Sequence, residues 1–313
     1  MKSRNIEYQK NFKNILAVCL LKFYGLISRP FKFKYLGWVS YFITKYIQPG
    51  SICTAKLSSD TSYRFFLEDG YWNKLFCQRF FYEPEIGLVL KSIRELDYLF
   101  LDLGANHGYW SVLVSSDDFN NKGAVAIEPV RSNFNILSEN SRINNHRFTV
   151  MHAAVCELEG QNVKIYFDPK SHSNVGASLL PDVNAHYHES ESIESATINQ
   201  LVGQFAHNNQ ALVIKLDVEG MEVETLKGAS IALERDFLLI YEDHGSDPNH
   251  TCSEFVLKQG FAVFHMESGV FTPVSSLEEV ESMKVQSSKG YNLFAYKPDS
   301  VISRLIHKNL LQS

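Results

Sequence analysis

The sequence predicts an α/β fold built on an open, mostly parallel sheet, and three observations predict it. Short apolar runs of strand length (Tyr98–Leu103, Gly123–Ile127, Ala211–Leu216, Phe237–Tyr241) alternate with stretches of helical spacing. The first run leads through a turn bracketed by Gly104 and Gly108 into a helix marked by Trp110, Leu113 and Val114. Acidic or titratable residues recur at the carboxyl ends of successive runs: Asp102, Glu128, Asp217 with Glu219, and Glu242 to His244. That edge is where open α/β sheets bind ligands.

Residues 1–50 form a surface of another kind. They hold nine Lys or Arg against one acidic residue, Glu7, a charge of +8 in a chain of net charge −5, so −13 falls on the remainder. Ile15–Ile27 is apolar apart from Lys22, but it is short for a membrane span, which takes about 20 residues. No small-x-small cleavage site follows it, so it is read as part of the mature protein. Next, Lys32, Lys34 and Lys45 interleave with Phe31, Phe33, Tyr35, Trp38, Tyr41, Phe42 and Tyr46. This extension is read as a peripheral contact with the cytoplasmic face of a membrane, and the rival reading packs its aromatics on the main domain.

Residues 51–97 are read as a preface to the core. Tyr63–Leu67 has the pattern of a strand before an Asp69-Gly70 turn, and Pro84 opens a helix with Ile86, Val89, Leu90, Ile93 and Leu96 on one face. The core is set at 98–298 and a tail at 299–313. Phe134 and Leu137 mark a helix, His146–Cys156 contains a third strand ending near Ala153-Ala154, and Ser171–Ser195 reads as a polar excursion facing substrate. Phe261–Met266 and Asn292–Tyr296 read as the last strands. Five scattered cysteines without a C-x-x-C pair argue against a disulfide framework or a zinc site and fit a reducing cytoplasm.

The spacing in the first turn discriminates between ligands. It is D-x-G-x-x-x-G, neither the G-x-G-x-x-G of a dinucleotide site nor a Walker loop. A carboxylate at the strand end suits a cationic ligand better than a phosphate, and S-adenosyl-L-methionine is such a ligand. Asp102, Gly104, Ala105, Asn106 and Gly108 are the donor-binding candidates in the turn. Glu128 is placed to take both ribose hydroxyls, Ala153 and Ala154 leave room for an adenine ring, and Asp217 completes the set. Asp102–Gly108 alone does not separate this reading from an ordinary α/β turn with an acidic neighbour.

Four elements in order carry a resemblance. YEPEI at 82–86, LDLGANHG at 101–108, AIEPVRSNFNIL at 126–137 and IKLDVEGMEVETLKGA at 214–229 resemble the FkbM family of S-adenosylmethionine-dependent methyltransferases, over roughly Tyr82–Tyr296. The resemblance implies a Rossmann-like class I methyltransferase: a seven-stranded, mostly parallel sheet with helices on both faces and an antiparallel last strand. It also implies O-methylation, commonly of a sugar or natural-product hydroxyl. One departure is Thr197-Ile198-Asn199, where such proteins usually read T-x-D, so the charge of that aspartate is missing here.

Methyl transfer to oxygen is an in-line displacement that needs aligned reactants and a proton acceptor. The candidates for the acceptor are His244, Glu242, Asp217, Glu219 and His107. His244 is preferred because imidazole titrates near neutral pH, and His107 is expected to shape the turn. Two other chemistries compete. Asp217, Glu219 and Glu242 are also oxygen ligands of the kind magnesium takes. The basic first fifty residues would suit RNA phosphates, but base-flipping enzymes want an aromatic platform and Asp217–Gly220 offers none. His186–Glu189 resembles a metal pair, but in a polar loop it is read as solvated. No nucleic-acid partner is expected, and a partner-binding protein with a dead donor site is disfavoured because Asp102, Gly104, Gly108 and Glu128 are intact.

Overall fold

The computed structural model describes residues 5–28, 35–45, 47, 50–77, 80–167, 189–267, 269–286 and 289–310. The chain begins with β1 (Ile6–Tyr8), α1 (Phe12–Ser28), α2 (Leu36–Thr44), β2 (Ile52–Lys56) and β3 (Ser62–Phe66). These three strands make a small antiparallel sheet, so β1 of the basic extension pairs directly with β2. A 3-10 turn at Asn73–Phe76 follows, and then α3 (Pro84–Ser92), whose first residue is the expected proline.

The core alternates strand and helix as anticipated: β4 (Tyr98–Leu103), α4 (Tyr109–Val114), β5 (Gly123–Ile127), α5 (Arg131–Ile143) and β6 (Thr149–Met151). After it come β7 (Ala154–Val155), β8 (Asn162–Phe167), β9 (Glu189–Ala196), α6 (Ile198–Phe205), β10 (Ala211–Leu216), α7 (Glu222–Lys227) and α8 (Ser230–Glu234). The chain ends with β11 (Phe237–His244), α9 (Thr251–Lys258), β12 (Ala262–Glu267), β13 (Val270–Val274), α10 (Leu277–Met283), β14 (Gly290–Tyr296) and α11 (Val301–Leu310).

Eight strands form the main sheet in the order β13-β12-β14-β11-β10-β4-β5-β6. β6, β5, β4, β10 and β11 are parallel, and β14 enters antiparallel between β11 and β12. Seven of these strands answer the expectation; the eighth, β13, is an addition at the edge. Pro273 argues against a strand in sequence, but an edge strand tolerates a residue that donates no ladder hydrogen bond.

Strand alternation assigns the two faces. Tyr98, Phe100, Val213, Leu238, Ile240 and Phe294 belong to one core, shared with α3 and α11. Leu99, Leu101, Leu103, Leu212, Ile214 and Leu239 belong to the other, shared with α6, α7 and α9. Asp102, Lys215, Glu242 and Asn292 continue the first series by even steps, so four polar side chains reach the carboxyl edge on one face of the sheet.

Several expectations need adjustment. The third strand breaks after Met151: Ala154–Val155 leaves the main sheet to pair with β9, and the intervening His152 Nε2 lies 2.8 Å from the Pro129 carbonyl. The end of the Ser171–Ser195 excursion is β9, not loop, because Ile193 packs with Ile165 and Val130 while its neighbours face water. Residues 168–188, which include His186–His188, lie outside the described residues, as do Phe31–Lys34 and Tyr46. β11 runs on through Glu242, Asp243 and His244 because β14 pairs opposite them. The stretch expected as a tail carries α11, with Ile302 and Ile306 buried. At the T-x-D departure, Asn199 Oδ1 accepts from the Ile231 and Ala232 amides at 2.9 and 3.3 Å, so the neutral side chain caps α8.

Candidate active site

A recess opens at the carboxyl edge where β4, β5 and β10 meet. Asp102, Gly104, Ala105, Asn106, Glu128, Ala153, Ala154, Asp217 and Glu219 line it, so nine of the residues expected at the site are brought together. Gly108 stands behind the turn as the residue before α4, with φ of 79° and no room for a Cβ beside Leu137 Cδ1.

Gly104 carries the closest approach. Its φ is 79°, and a Cβ there would lie 1.8 Å from the Asp217 carbonyl oxygen, so only glycine lets the β4 turn and the β10 end touch. The turn is latched from below: the Gly104 and Ala105 amides donate to the Ile127 carbonyl at 3.0 and 2.9 Å, and the Asp217 amide donates to Leu103. Glu128 latches it from the side. Its carboxylate accepts from the Asn106 amide at 2.8 Å, the Val130 amide at 3.0 Å and Asn133 Nδ2 at 3.3 Å. Burial nonetheless pushes the Glu128 carboxyl up to about 7, with those hydrogen bonds pulling the other way.

Asp102 is buried and accepts from Ser111 Oγ at 2.6 Å and the Ser111 amide at 3.2 Å, and burial raises its carboxyl above the usual range. Directly across the β4–β10 ladder lies Lys215, 5% exposed. Its Nζ donates to Asp217 Oδ2 at 2.8 Å. Burial alone would lower the Lys215 ammonium, but Asp217, Glu83 and Asp102 together outweigh it and hold the group above its ordinary value. Glu83 comes from the residue before α3, where φ is 41°. It accepts from Trp110 Nε1 at 2.7 Å and Asn292 Nδ2 at 3.2 Å, and burial raises its carboxyl.

Sequence reasoning missed Lys215, Glu83 and the recess wall of Tyr71, Trp72, Tyr82, Tyr109 and Trp110. The signal for Lys215 is that it interrupts the apolar run Ala211–Leu216. The aromatics come from distant segments and interlock, with Trp72 and Tyr109 stacked at 5.5 Å, Trp72 and Tyr82 tilted against each other at 5.0 Å, and the Tyr71 hydroxyl donating to Tyr82 at 2.9 Å. The Asp217–Gly220 turn brings no aromatic of its own, yet the amino-terminal segments supply a wall beside it. His107 is fully buried against Trp72, outside the recess lining, and burial lowers its imidazole to about 3. It packs the turn, as expected, and is not placed to take a substrate proton.

Glu242 and His244 lie in an adjacent acidic recess that shares Asp217 and Glu219 with the first. Glu219, with φ of 48°, is raised well above the usual carboxylate range by burial and by Asp217 and Glu242. Glu242 lies against Gly290 and is pushed up to about 8, by burial first and then by Asp217 and Glu83. His244 is exposed at the rim, its Nδ1 2.6 Å from Ser246 Oγ. Behind it Asp243 is buried in contact with Lys284, His250 and Ser253, which anchors the strand end. Among the described residues no three His, Cys, Asp or Glu side chains are gathered so as to hold a metal ion.

The donor set tells what the first recess suits. Four carboxyl groups (Asp102, Glu128, Asp217, Glu219) face it against one ammonium among the described residues, and aromatic faces complete the wall. Carboxylates and π-faces both attract a cation, while the Gly104 turn holds the β4 and β10 ends together beneath them. The arrangement fits an adenosine-bearing sulfonium.

The profile of the methyltransferase FkbM domain matches residues 102–265. No curated protein matches the chain. Similar solved structures include a methyltransferase FkbM from Methylobacillus flagellatus, 15% identical over 64% of this chain with TM-score 0.39; the chain spans 44% of that protein's length. A precorrin-6y C5,15-methyltransferase from Geobacter metallireducens is 13% identical over 70% of this chain and 92% of its own, with TM-score 0.38. A SAM-dependent O-methyltransferase from Thermotoga maritima is 10% identical over 70% and 67%, with TM-score 0.37.

Proposed function

The chain belongs to the FkbM methyltransferase family, and from that premise we propose that it transfers the methyl group of S-adenosylmethionine to a hydroxyl of a sugar in a glycan, glycolipid or related natural product. The observation that carries this reading is the recess itself, in which four carboxyl groups and five aromatic rings surround the glycine turn. When bound, the donor supplies a methyl group on positively charged sulfur. Asp102 and Asp217 offset that charge, and Lys215 keeps the ionised carboxyls from repelling one another before the cation arrives. Glu128 both fixes the turn and presents its carboxyl to the ribose side. Ala153 and Ala154, which line the recess together with Ile127 and Ile165, leave the space for a flat base.

The acceptor hydroxyl must lose a proton as it is methylated. Glu219 lines both recesses, so its carboxyl reaches the donor side and the acidic side alike. Its raised affinity for protons, shared with Glu242, suits a general base, and His244 stands at the rim as the relay to water. Aromatic faces at Tyr71 and Tyr82 offer sugar C–H groups a surface to stack on. The test is incubation with methyl-labelled S-adenosylmethionine and a panel of glycolipid, free-sugar, polyketide and RNA acceptors. Label in a sugar hydroxyl supports the reading; label in RNA alone overturns it.

A further inference from the structure

We propose that α1 and α2 form an in-plane docking face for an anionic lipid bilayer. Residues of a helix follow one another at about 100°. On α1 that spacing puts Ala17, Val18 and Leu21 against the protein, where they are buried, and Phe12, Leu16, Leu20, Phe23, Leu26 and Ile27 on the opposite side, where all are exposed. An ordinary surface helix also buries an apolar stripe but turns polar residues outward. Phe12 is 82% exposed. α2 packs beside α1 and adds Trp38, 69% exposed, stacked on Phe42 at 6.0 Å.

The charge around this face identifies what covers it. Lys13 and Lys22 fall at the two borders between the outward apolar arc and the buried one, and Lys45 sits over the Tyr41 ring at 5.0 Å. Residues 1–50 contain one acidic side chain, Glu7, which lies on β1 outside both helices. Lysines bordering an apolar, aromatic stripe match anionic headgroups above acyl chains. A second copy of the same face would set lysine rims against lysine rims. No helix among the described residues is long and apolar enough to cross a membrane, so the helices lie in the interface.

The docking face is tied to the recess. Ser40 Oγ of α2 donates to the Gly70 carbonyl at 2.6 Å, and the next two residues, Tyr71 and Trp72, line the recess wall. Ser40 is on the buried side of α2, so docking through the exposed side holds that wall one helix behind the lipid surface. Resting on the methyl-transfer reading above, this makes a sugar on a lipid carrier the acceptor form the enzyme meets.

The experiment is flotation of the full chain with vesicles of phosphatidylcholine mixed with phosphatidylglycerol, and with phosphatidylcholine alone, at low salt. Wild type is expected to float with the anionic vesicles. Lys13→Gln with Lys22→Gln should weaken partition about 30-fold, and Phe23→Glu with Trp38→Ser should abolish it. All four positions are exposed, so circular dichroism and the melting temperature should stay at wild-type values. Wild type remaining in the soluble fraction overturns the proposal, as does equal binding to neutral vesicles. So does a concentration-dependent dimer that Phe23→Glu disperses while vesicles bind nothing. Binding is read without methyl transfer, so its failure leaves the acceptor chemistry to its own test.

Discussion

Replacing Lys215 by Met removes the one ammonium lining the recess among the described residues while keeping the volume of its stem. Its Nζ is 2.8 Å from Asp217 Oδ2, with 7% of the lysine side chain and 29% of the aspartate side chain exposed. Breaking a buried pair costs about 3–5 kcal/mol because a charge is left uncompensated. The partial exposure of Asp217 puts this case at the low end, about 3 kcal/mol, or a loss of about 6 °C in melting temperature for a chain of this size. The penalty also depends on pH with a definite sign. Without the ammonium, the buried Asp102 and Glu83 carboxyls bind protons more readily, and each proton bound removes an uncompensated charge. The variant should therefore lose most above about pH 8 and least near pH 5. Scanning calorimetry at both pH values, beside the exposed control Lys227→Met, reads the effect; the control pair, at 3.8 Å, should cost less than about 0.5 kcal/mol. A loss at Lys215 below about 1 kcal/mol, or one independent of pH, would refute the view that this ammonium holds the carboxyls together.

Other expectations follow from the same geometry. Gly104→Ala drives a Cβ into the Asp217 carbonyl, so the variant should melt lower and lose S-adenosylhomocysteine binding at least about tenfold; unchanged binding by calorimetry contradicts the close approach. In the wild-type protein Glu222, Glu128 and Glu242 are raised to about 6, 7 and 8. The folded chain keeps protons that the unfolded chain releases from about pH 4.5 upward, so stability should fall as pH rises from about 5 to about 8. A melting temperature that climbs over that window shows the sign to be wrong. For the proton acceptor, Glu219→Gln should cut turnover about 100-fold or more with donor binding retained, whereas His244→Ala should have a smaller effect. The opposite order returns the role to the imidazole.

The order of strands and helices was legible because both periodicities are strong here. Tyr98–Leu103 and Ala211–Leu216 are buried throughout, Asp102 and Lys215 included, as central strands covered on both faces should be in a parallel sheet. β13 and β9 were not legible: one holds a proline at an edge, and the other buries Ile193 among serines and glutamates. At the site, side chains carried by the strand tips could be read from their places in the motifs. Glu83 and the aromatic wall could not, because they reach the recess from segments whose approach is decided by packing: Tyr71 and Trp72 follow a turn held by α2, and Glu83 sits in a left-handed conformation before α3. The amphipathic sense of α1 was likewise hidden, since a helix apolar all round does not say which side meets the protein.

The claim at the centre of this account is that the recess between Gly104, Glu128 and Asp217 is an adenosylmethionine site. Isothermal titration with S-adenosylmethionine, S-adenosylhomocysteine and NAD, on wild type and Glu128→Ala, tests it most directly. The account predicts one molecule of either adenosyl ligand per chain, no binding of NAD, and a loss of about tenfold or more in the variant, as expected for a hydrogen bond to a charged group. It also predicts that preference for the cationic adenosylmethionine over adenosylhomocysteine grows as pH rises through the window where Glu128 and Glu242 ionise, from about 7 to about 8. Equal binding of NAD, or undiminished binding of both adenosyl ligands by Glu128→Ala, would contradict it.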